Sequence, residues 1–168
     1  ETLTYDFTDR SLPDGKYNKI VLLFDAGETG SGEKWLFDDI FRMKGEGADP
    51  GPGPTPGEGE ENYSDFETSD LEFQIAGSED MQYEVIPNPV TDGNNSDHVG
   101  RVVTGSAQWE LLYSKTLEKP FAFSKYGAKF SVKVYAPKTG ASIYLKRESS
   151  AGAEAREITS VASTQTGK

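Results

Sequence analysis

The sequence predicts an all-β protein, an antiparallel β-sandwich of the jelly-roll type, and two observations lead to this prediction. Short segments of alternating or continuous apolar residues recur along the chain, separated by turn clusters such as TDGNNSD and PKTG. No segment longer than ten residues shows a convincing apolar period of 3.6 residues, which is the pattern of an amphipathic helix. Ten short strands with little helix are typical of a sandwich or a jelly roll.

Composition and charge narrow the possible partners. The chain has 168 residues, of which 35% are hydrophobic, enough for the core of one sandwich domain. Its 28 acidic and 17 basic residues give a net charge of −11, which would repel phosphate backbones and anionic lipid surfaces. No apolar run approaches the length of a membrane span. We therefore expect no nucleic-acid partner and no membrane partner.

Three strands are predicted within residues 1–42. TLTYDF alternates Leu3, Tyr5 and Phe7 with polar residues, whereas NKIVLLFDA and WLFDDIF are short apolar runs bounded by glycine-rich turns. Three strands cannot cover both faces of a sheet. We therefore expect them to complete sheets formed by later strands.

Residues 43–62 are predicted to be a linker. This stretch includes GEGADPGPGPTPGEGEE, whose Gly, Pro and acidic residues bury too little apolar surface to offset the entropy cost of ordering. Seven further strands are predicted after it, in the segments LEFQIA, MQYEVI, HVGRVV, WELLYSKTL, KFSVKVYA, ASIYLKR and REITSVAS.

Residues 1–42 and 63–168 are interpreted as one domain in circularly permuted order. When EITSVASTQTGK is read directly into ETLTYDF, the result is strand, turn and strand, the pattern of a β-hairpin. The linker would then join the usual last strand to the usual first. The first residues already lie within a strand pattern, so we expect the chain to be a piece of a longer protein or a trimmed one. The alternatives are a cut from a tandem-repeat array and strand exchange with a neighbouring copy.

The permuted chain resembles a known family. The resemblance rests on DFE at 65–67, VIPNPVTDGNNSDHVGRVV at 85–103, WELLYSKTL at 109–117, KFSVKVYAPKTGASIYLKRE at 129–148, and ETLTYDF and KIVLLFDAGETGSGEKWLFDDI from the first part of the chain. Together these segments resemble the galactose-binding-like jelly-roll modules of secreted, multi-modular bacterial proteins, many of which are carbohydrate-binding modules. The resemblance implies a secreted or cell-surface module that binds a polysaccharide.

The resemblance also implies a structural calcium ion, held by Glu67 of the first strand and Asp38 of the last. Calcium takes hard oxygen ligands such as carboxylates. In WLFDDIF, alternation places Leu36, Asp38 and Ile40 on one face, and an inward-facing carboxylate needs a partner such as a cation. The alternative is that Asp38 and Glu67 are solvated carboxylates at strand ends of a very acidic protein.

Alternation also assigns the two faces of the strands KFSVKVYA and ASIYLKRE. Lys133 and Tyr135 in the first strand, and Tyr144 and Lys146 in the second, are expected to face outward. The residues between them are expected to face the core: Phe130, Val132, Val134, Ile143 and Leu145.

Aromatic residues on an outer face are the candidate glycan-binding residues, because flat rings contact the apolar faces of sugars. We select Tyr135 and Tyr144 with the adjacent Lys146, together with Trp109 and Tyr113, which share a parity on their strand. The alternative for Trp109 is a packing role in the core or at a sheet edge.

No enzymatic motif is present. The sequence contains no Gly-x-Ser-x-Gly elbow, phosphate loop, metalloprotease helix or cysteine, and its single histidine, His98, is interpreted as a residue that flanks a turn. Together with the resemblance, which implies carbohydrate binding, this absence leads us to expect a non-catalytic carbohydrate-binding module. The alternative is a structural spacer or adhesin repeat without a sugar site, and the two differ in whether the candidate aromatic residues form an exposed platform.

Overall fold

The computed structural model describes residues 1–8, 13–43, 61–67, 71–90, 92–123, 127–149 and 152–164. Most of the predicted linker, residues 44–60, lies outside this set. The two ends of the predicted linker belong to strands instead: residue 43 ends one strand, and residues 61 and 62 begin another.

The described part of the chain contains eleven strands. Their bounds are β1 (Thr2–Asp6), β2 (Lys19–Phe24), β3 (Lys34–Met43), β4 (Glu61–Ser64), β5 (Phe73–Ala76), β6 (Gln82–Pro87), β7 (His98–Val103), β8 (Leu111–Ser114), β9 (Lys129–Tyr135), β10 (Ser142–Ser149) and β11 (Gly152–Ala162).

These strands form two sheets that pack face to face, so the predicted antiparallel β-sandwich is confirmed. One sheet has six strands in the order β1-β9-β3-β7-β6, with β4 beside the second half of β3. The other has five strands in the order β11-β10-β2-β8-β5. The neighbouring strands pair antiparallel throughout both described sheets.

The first three strands are divided between the two sheets. Strand β2 lies at the centre of the five-stranded sheet, between β10 and β8. Strand β3 lies in the six-stranded sheet between β9 and β7, and β1 forms its edge beside β9. The expectation that these strands complete sheets formed by later ones agrees with this pairing.

The predicted hairpin between the two ends of the chain is not formed. Strand β1 belongs to the six-stranded sheet and β11 to the five-stranded sheet. The ends nevertheless meet where the two sheets adjoin, because the Thr164 hydroxyl donates a hydrogen bond to the Glu1 carboxylate at 2.7 Å.

Aromatic side chains dominate the core between the sheets. Phe37 packs edge-to-face against Phe66 and Phe73, with ring centroids 5.3 and 5.7 Å apart. All of the side chains that alternation assigned to the core of β9 and β10 lie in this cluster: Phe130, Val132, Val134, Ile143 and Leu145. The guanidinium of the buried Arg147 lies 3.7 Å from the centre of the Phe7 ring, a cation–π contact.

A β-bulge interrupts the alternation of β3. The pairing of β3 with β9 shifts by one residue between Asp38 and Phe41, and Asp39 has a φ of +49°. Beyond the bulge Ile40 points into the core with Phe37, whereas Leu36 and Asp38 lie on the outer face. The prediction that Leu36, Asp38 and Ile40 share one face is therefore wrong.

Candidate glycan-binding surfaces

Three of the predicted glycan-binding residues lie on the outer face of the five-stranded sheet. Val21 of β2 pairs with Tyr113 of β8 on one side and with Lys146 of β10 on the other. Tyr144 is two residues before Lys146 and pairs with Leu23. Paired residues of an antiparallel sheet point to the same side, so these five side chains share one surface.

We call this surface the tyrosine face and define it by Val21, Leu23, Leu111, Tyr113, Tyr144 and Lys146. Val21 and Leu23 lie outside the core cluster, yet they are only 1% and 4% exposed. Tyr113 and Tyr144, on the flanking strands, are each half-buried. The two tyrosines thus lie on either side of apolar side chains that have almost no contact with solvent.

Lys146 is less available to a ligand than its position on the outer face indicates. Its ammonium group forms an ion pair with Glu148 on the same strand, and the side chain is 13% exposed. Lys146 pairs with Val21, so its carbon chain lies on the same face of the sheet as the Val21 side chain.

Trp109 lies at one end of the tyrosine face and is 62% exposed, which excludes a core role. It precedes β8, and the backbone N–H of Gly27, just after β2, donates to the carbonyl of its neighbour Gln108 at 2.8 Å. A Cβ atom on Gly27 would lie 3.8 Å from the indole ring. The ring therefore rests on a glycine loop and leaves much of its surface open.

Tyr135 lies apart from these residues, on the outer face of the six-stranded sheet. There it lines a cleft of about 340 Å³ together with Leu36, Asp38 and Lys133. Tyr135 pairs with Leu36, and Lys133 pairs with Asp38, so the four side chains form the floor of the cleft. The five predicted residues therefore do not form one site.

Two asparagines hold the loop that forms the wall of the cleft. The Asn88 side-chain amide donates to the carbonyl of Ser96 at 2.9 Å, and its oxygen accepts from the backbone N–H of Val90 at 3.0 Å. The Asn94 amide reaches β3 and donates to Asp38 at 2.7 Å. The described residues of this loop, 88–90 and 92–97, are thus tied both to one another and to the sheet.

Asp38 and Glu67, the predicted calcium ligands, have separate partners. Asp38 is buried and accepts from Asn94 and from the backbone N–H of Asp39, and burial raises its pKa to about 6. Glu67 accepts from the backbone N–H of His98 at 2.6 Å. The turn-flanking histidine thus contributes a backbone donor to this carboxylate.

The charge of Glu67 acts on a second buried carboxylate of this region, Asp39. Burial raises the pKa of Asp39, the ammonium of Lys133 lowers it, and the nearby charges of Asp65 and Glu67 raise it further. Lys133 Nζ lies 2.6 Å from Asp39 Oδ2, so a cation belonging to the protein already balances this group.

This arrangement bears on the predicted calcium ion. Among the residues that the structure describes, no group of three or more His, Asp or Glu side chains is arranged to hold a metal ion. Calcium at Asp38 and Glu67 therefore stays a prediction, and Lys133 is the cation that the structure places at the neighbouring carboxylate. The importance of Asp39 and Lys133 was missed from the sequence, since Lys133 was expected only to face outward.

Comparison of the chain with protein-family models, with curated proteins and with solved structures finds no match. No helix in the described parts of the chain has the length and apolar character needed to cross a membrane.

Proposed function

We propose that this protein is a non-catalytic carbohydrate-binding module of the galactose-binding-like kind, which holds a secreted or cell-surface bacterial protein on a polysaccharide. The tyrosine face is the binding surface, with Trp109 at its end. Sugar rings present flat apolar faces bordered by hydroxyl groups, and they are bound by aromatic side chains together with a few polar groups.

One observation carries this proposal. Tyr113 and Tyr144 lie on either side of β2 on the outer face of the five-stranded sheet, and Trp109, the most exposed large apolar side chain of the described residues, lies beside Gly27 just after β2. Large apolar groups at the surface of a domain often mark interaction sites. Because Val21 and Leu23 are buried, the rings of Tyr113, Tyr144 and Trp109 are the groups that a polymer crossing this face would contact.

The test is retardation of the protein in affinity gels that contain different neutral polysaccharides, followed by calorimetry with the polymer that retards it most. Trp109→Ala and Tyr144→Ala should each weaken binding by about 1 to 3 kcal/mol, the usual range for an interface residue that contributes to affinity. Both side chains lie at the surface, so the melting temperature should change little.

Tyr135→Ala is the matched control, because Tyr135 is also a half-buried strand tyrosine but lies on the opposite sheet. It should leave the polysaccharide affinity unchanged. Absence of retardation in every gel, or an equal loss of affinity with Tyr135→Ala, would contradict the proposal. The spacer or adhesin interpretation would then be the better one.

A further inference from the structure

Strand β6 forms an open edge of the six-stranded sheet. It pairs with β7 along its whole length, from Gln82 to Pro87, without a bulge, and no other described strand pairs with it. Each of its residues is at least partly exposed, and Val85 is 47% exposed. Natural proteins commonly protect such edges with bulges or covering elements, because an open edge can pair with another strand.

Alternate residues of β6 direct their backbone groups away from β7. Just beyond the strand, the N–H of Asn88 donates to the carbonyl of Asp97 at 2.7 Å, so these opposite residues are a hydrogen-bonded pair. Hydrogen-bonded and non-hydrogen-bonded pairs alternate along an antiparallel ladder. Glu84 and Ile86 therefore bond to β7, whereas the N–H and the carbonyl of Val85 point to the open side.

The edge is fixed to the core by the residues around Val85. The ring of Tyr83 packs against Phe73 of β5 and against Phe37, with centroids 6.0 and 6.1 Å apart. Val85 pairs with Gly100, and a Cβ atom on Gly100 would meet the Phe37 ring, so the Val85 side chain is on the core side of the sheet. An incoming strand would thus meet an edge that is already ordered, which lowers the entropy cost of binding.

The charges beside this edge favour a basic partner. Glu79 and Asp80 lie in the turn that leads into β6, and both are exposed. Glu84, the one charged residue of β6, is 48% exposed and pairs with Arg101 of β7, so this arginine adds no net positive charge. A second copy of the chain, with its net charge of −11, would be repelled, whereas a basic segment would be attracted.

We propose that β6 is a docking edge for an extended basic segment of another protein, which adds to the six-stranded sheet as an antiparallel strand. Its main-chain groups bond to those of Val85, and an apolar side chain of the segment covers Val85. A lysine or arginine at the next position contacts Glu84, because successive side chains of a strand point to opposite faces. The carboxyl end of the segment lies near Glu79 and Asp80, where β6 begins. The inference does not depend on the function proposed for the tyrosine face.

The test uses the native protein and three synthetic peptides with blocked ends. One peptide alternates lysine and valine, the second has the same residues in two blocks, and the third has glutamate in place of each lysine. Calorimetry measures the affinity, and NMR locates the peptide through the backbone amide signals. At low salt the alternating basic peptide should bind about tenfold more tightly than the other two, which corresponds to one or two net hydrogen bonds or exposed ion pairs. The Val85 amide signal should shift, and the affinity should fall as salt is added.

Val85→Pro removes the N–H that the added strand needs. Proline is tolerated at an edge position whose N–H does not serve the ladder, so the fold should be retained. Binding of the alternating basic peptide should weaken about tenfold. Ile75→Pro is the matched control on β5, the edge of the other sheet: Ile75 is 39% exposed, and the bond from the Lys115 N–H to the Glu72 carbonyl sets the same alternation there. This variant should bind the peptide as the native protein does.

Three results would overturn the proposal. One is equal binding of the alternating and the block peptide, or no binding of either at millimolar concentration. Another is binding that leaves the Val85 amide signal unchanged. The third is a dimer of the native protein that Val85→Pro dissociates, since the occupant of the edge would then be a second copy of this chain. The peptide comparison and the NMR signals come from the native protein, so they decide the question even if Val85→Pro does not fold.

Discussion

Replacement of Lys133 by methionine should destabilise the protein strongly, because it leaves Asp39 buried and charged without its cation. Asp39 is 1% exposed, and its only close cation among the described residues is Lys133 Nζ, 2.6 Å away. Methionine retains an apolar side chain that fills similar space. The change therefore removes mainly the charge.

The expected loss is about 3 kcal/mol, the lower end of the range for removing one partner of a buried ion pair, since Lys133 retains some exposure. For a chain of this size it corresponds to a fall in melting temperature of about 6 to 12 °C. The loss should shrink in acid, because the pKa of Asp39 is already raised by burial and rises further without the ammonium. Asp39 then takes up a proton, and no uncompensated charge remains.

Differential scanning calorimetry or urea unfolding at pH 7 and pH 5 measures both effects. The double variant Asp39→Asn with Lys133→Met removes both charges and should recover most of the stability, because asparagine tolerates the positive φ at this bulge. Lys129→Met on the same strand is the matched control: its pair with Asp6 is solvent-exposed and should contribute at most about 1 kcal/mol.

Two outcomes would refute the reasoning. One is a Lys133→Met variant that melts within about 4 °C of the unaltered protein, because an exposed pair contributes at most about 1 kcal/mol, equivalent to about 2 to 4 °C. The other is a double variant that is less stable than the single one, which would show that Asp39 is held by something other than Lys133.

Two further predictions concern metal and acid. If calcium binds at Asp38 and Glu67, a chelator should lower the melting temperature. The loss is equivalent to about 2.7 kcal/mol when free calcium was a hundredfold above its dissociation constant. Identical melting temperatures with and without chelator would contradict the calcium prediction. Glu33 accepts from the backbone N–H of Ser31 and from the Thr104 hydroxyl, and these bonds hold its pKa at about 2. The ionised Glu33 carboxylate therefore stabilises the fold fully above pH 4.5, and this stabilisation is lost as the pH falls towards 2. In urea unfolding, Glu33→Gln should reduce the fall in the free energy of unfolding between these two pH values. An unchanged pH dependence would show that these hydrogen bonds do not stabilise the ionised carboxylate.

Much of the sandwich could be predicted because β9 and β10 alternate strictly. In these strands each apolar residue from Phe130 to Leu145 faces the core, and the outward position of Tyr135 and Tyr144 follows directly. Alternation with a period of two residues is a local property of a strand. The sequence alone therefore predicts which side chains face the core, provided that no bulge adds a residue to the strand.

The faces of β3 could not be predicted for the same physical reason. A bulge at Asp39 moves Ile40 to the core side, and no glycine or asparagine marks the positive φ. The partner of Asp39 is contributed by β9, ninety-four positions later in the chain, so Lys133 could be placed only once the strands were paired.

The division of the tyrosines between two surfaces also depends on pairing. Tyr135 and Tyr144 have the same outward parity, but β9 belongs to one sheet and β10 to the other. Consecutive strands that alternate between sheets look the same in sequence as strands that pair. The prediction of a hairpin between the chain ends was wrong for this reason, because β1 and β11 are near each other but lie in different sheets.

The two tryptophans make the protein a natural fluorescence reporter with two separate signals. Trp35 is 0% exposed and packs beside Phe24 in the core, whereas Trp109 is mostly exposed at the end of the tyrosine face. The chain has only these two indoles, so the blue-edge emission belongs to Trp35 and the red-edge emission to Trp109. Iodide should quench the red component selectively, and a bound polysaccharide should shield it. The blue component should change only on unfolding, so one sample can report occupancy and global stability independently.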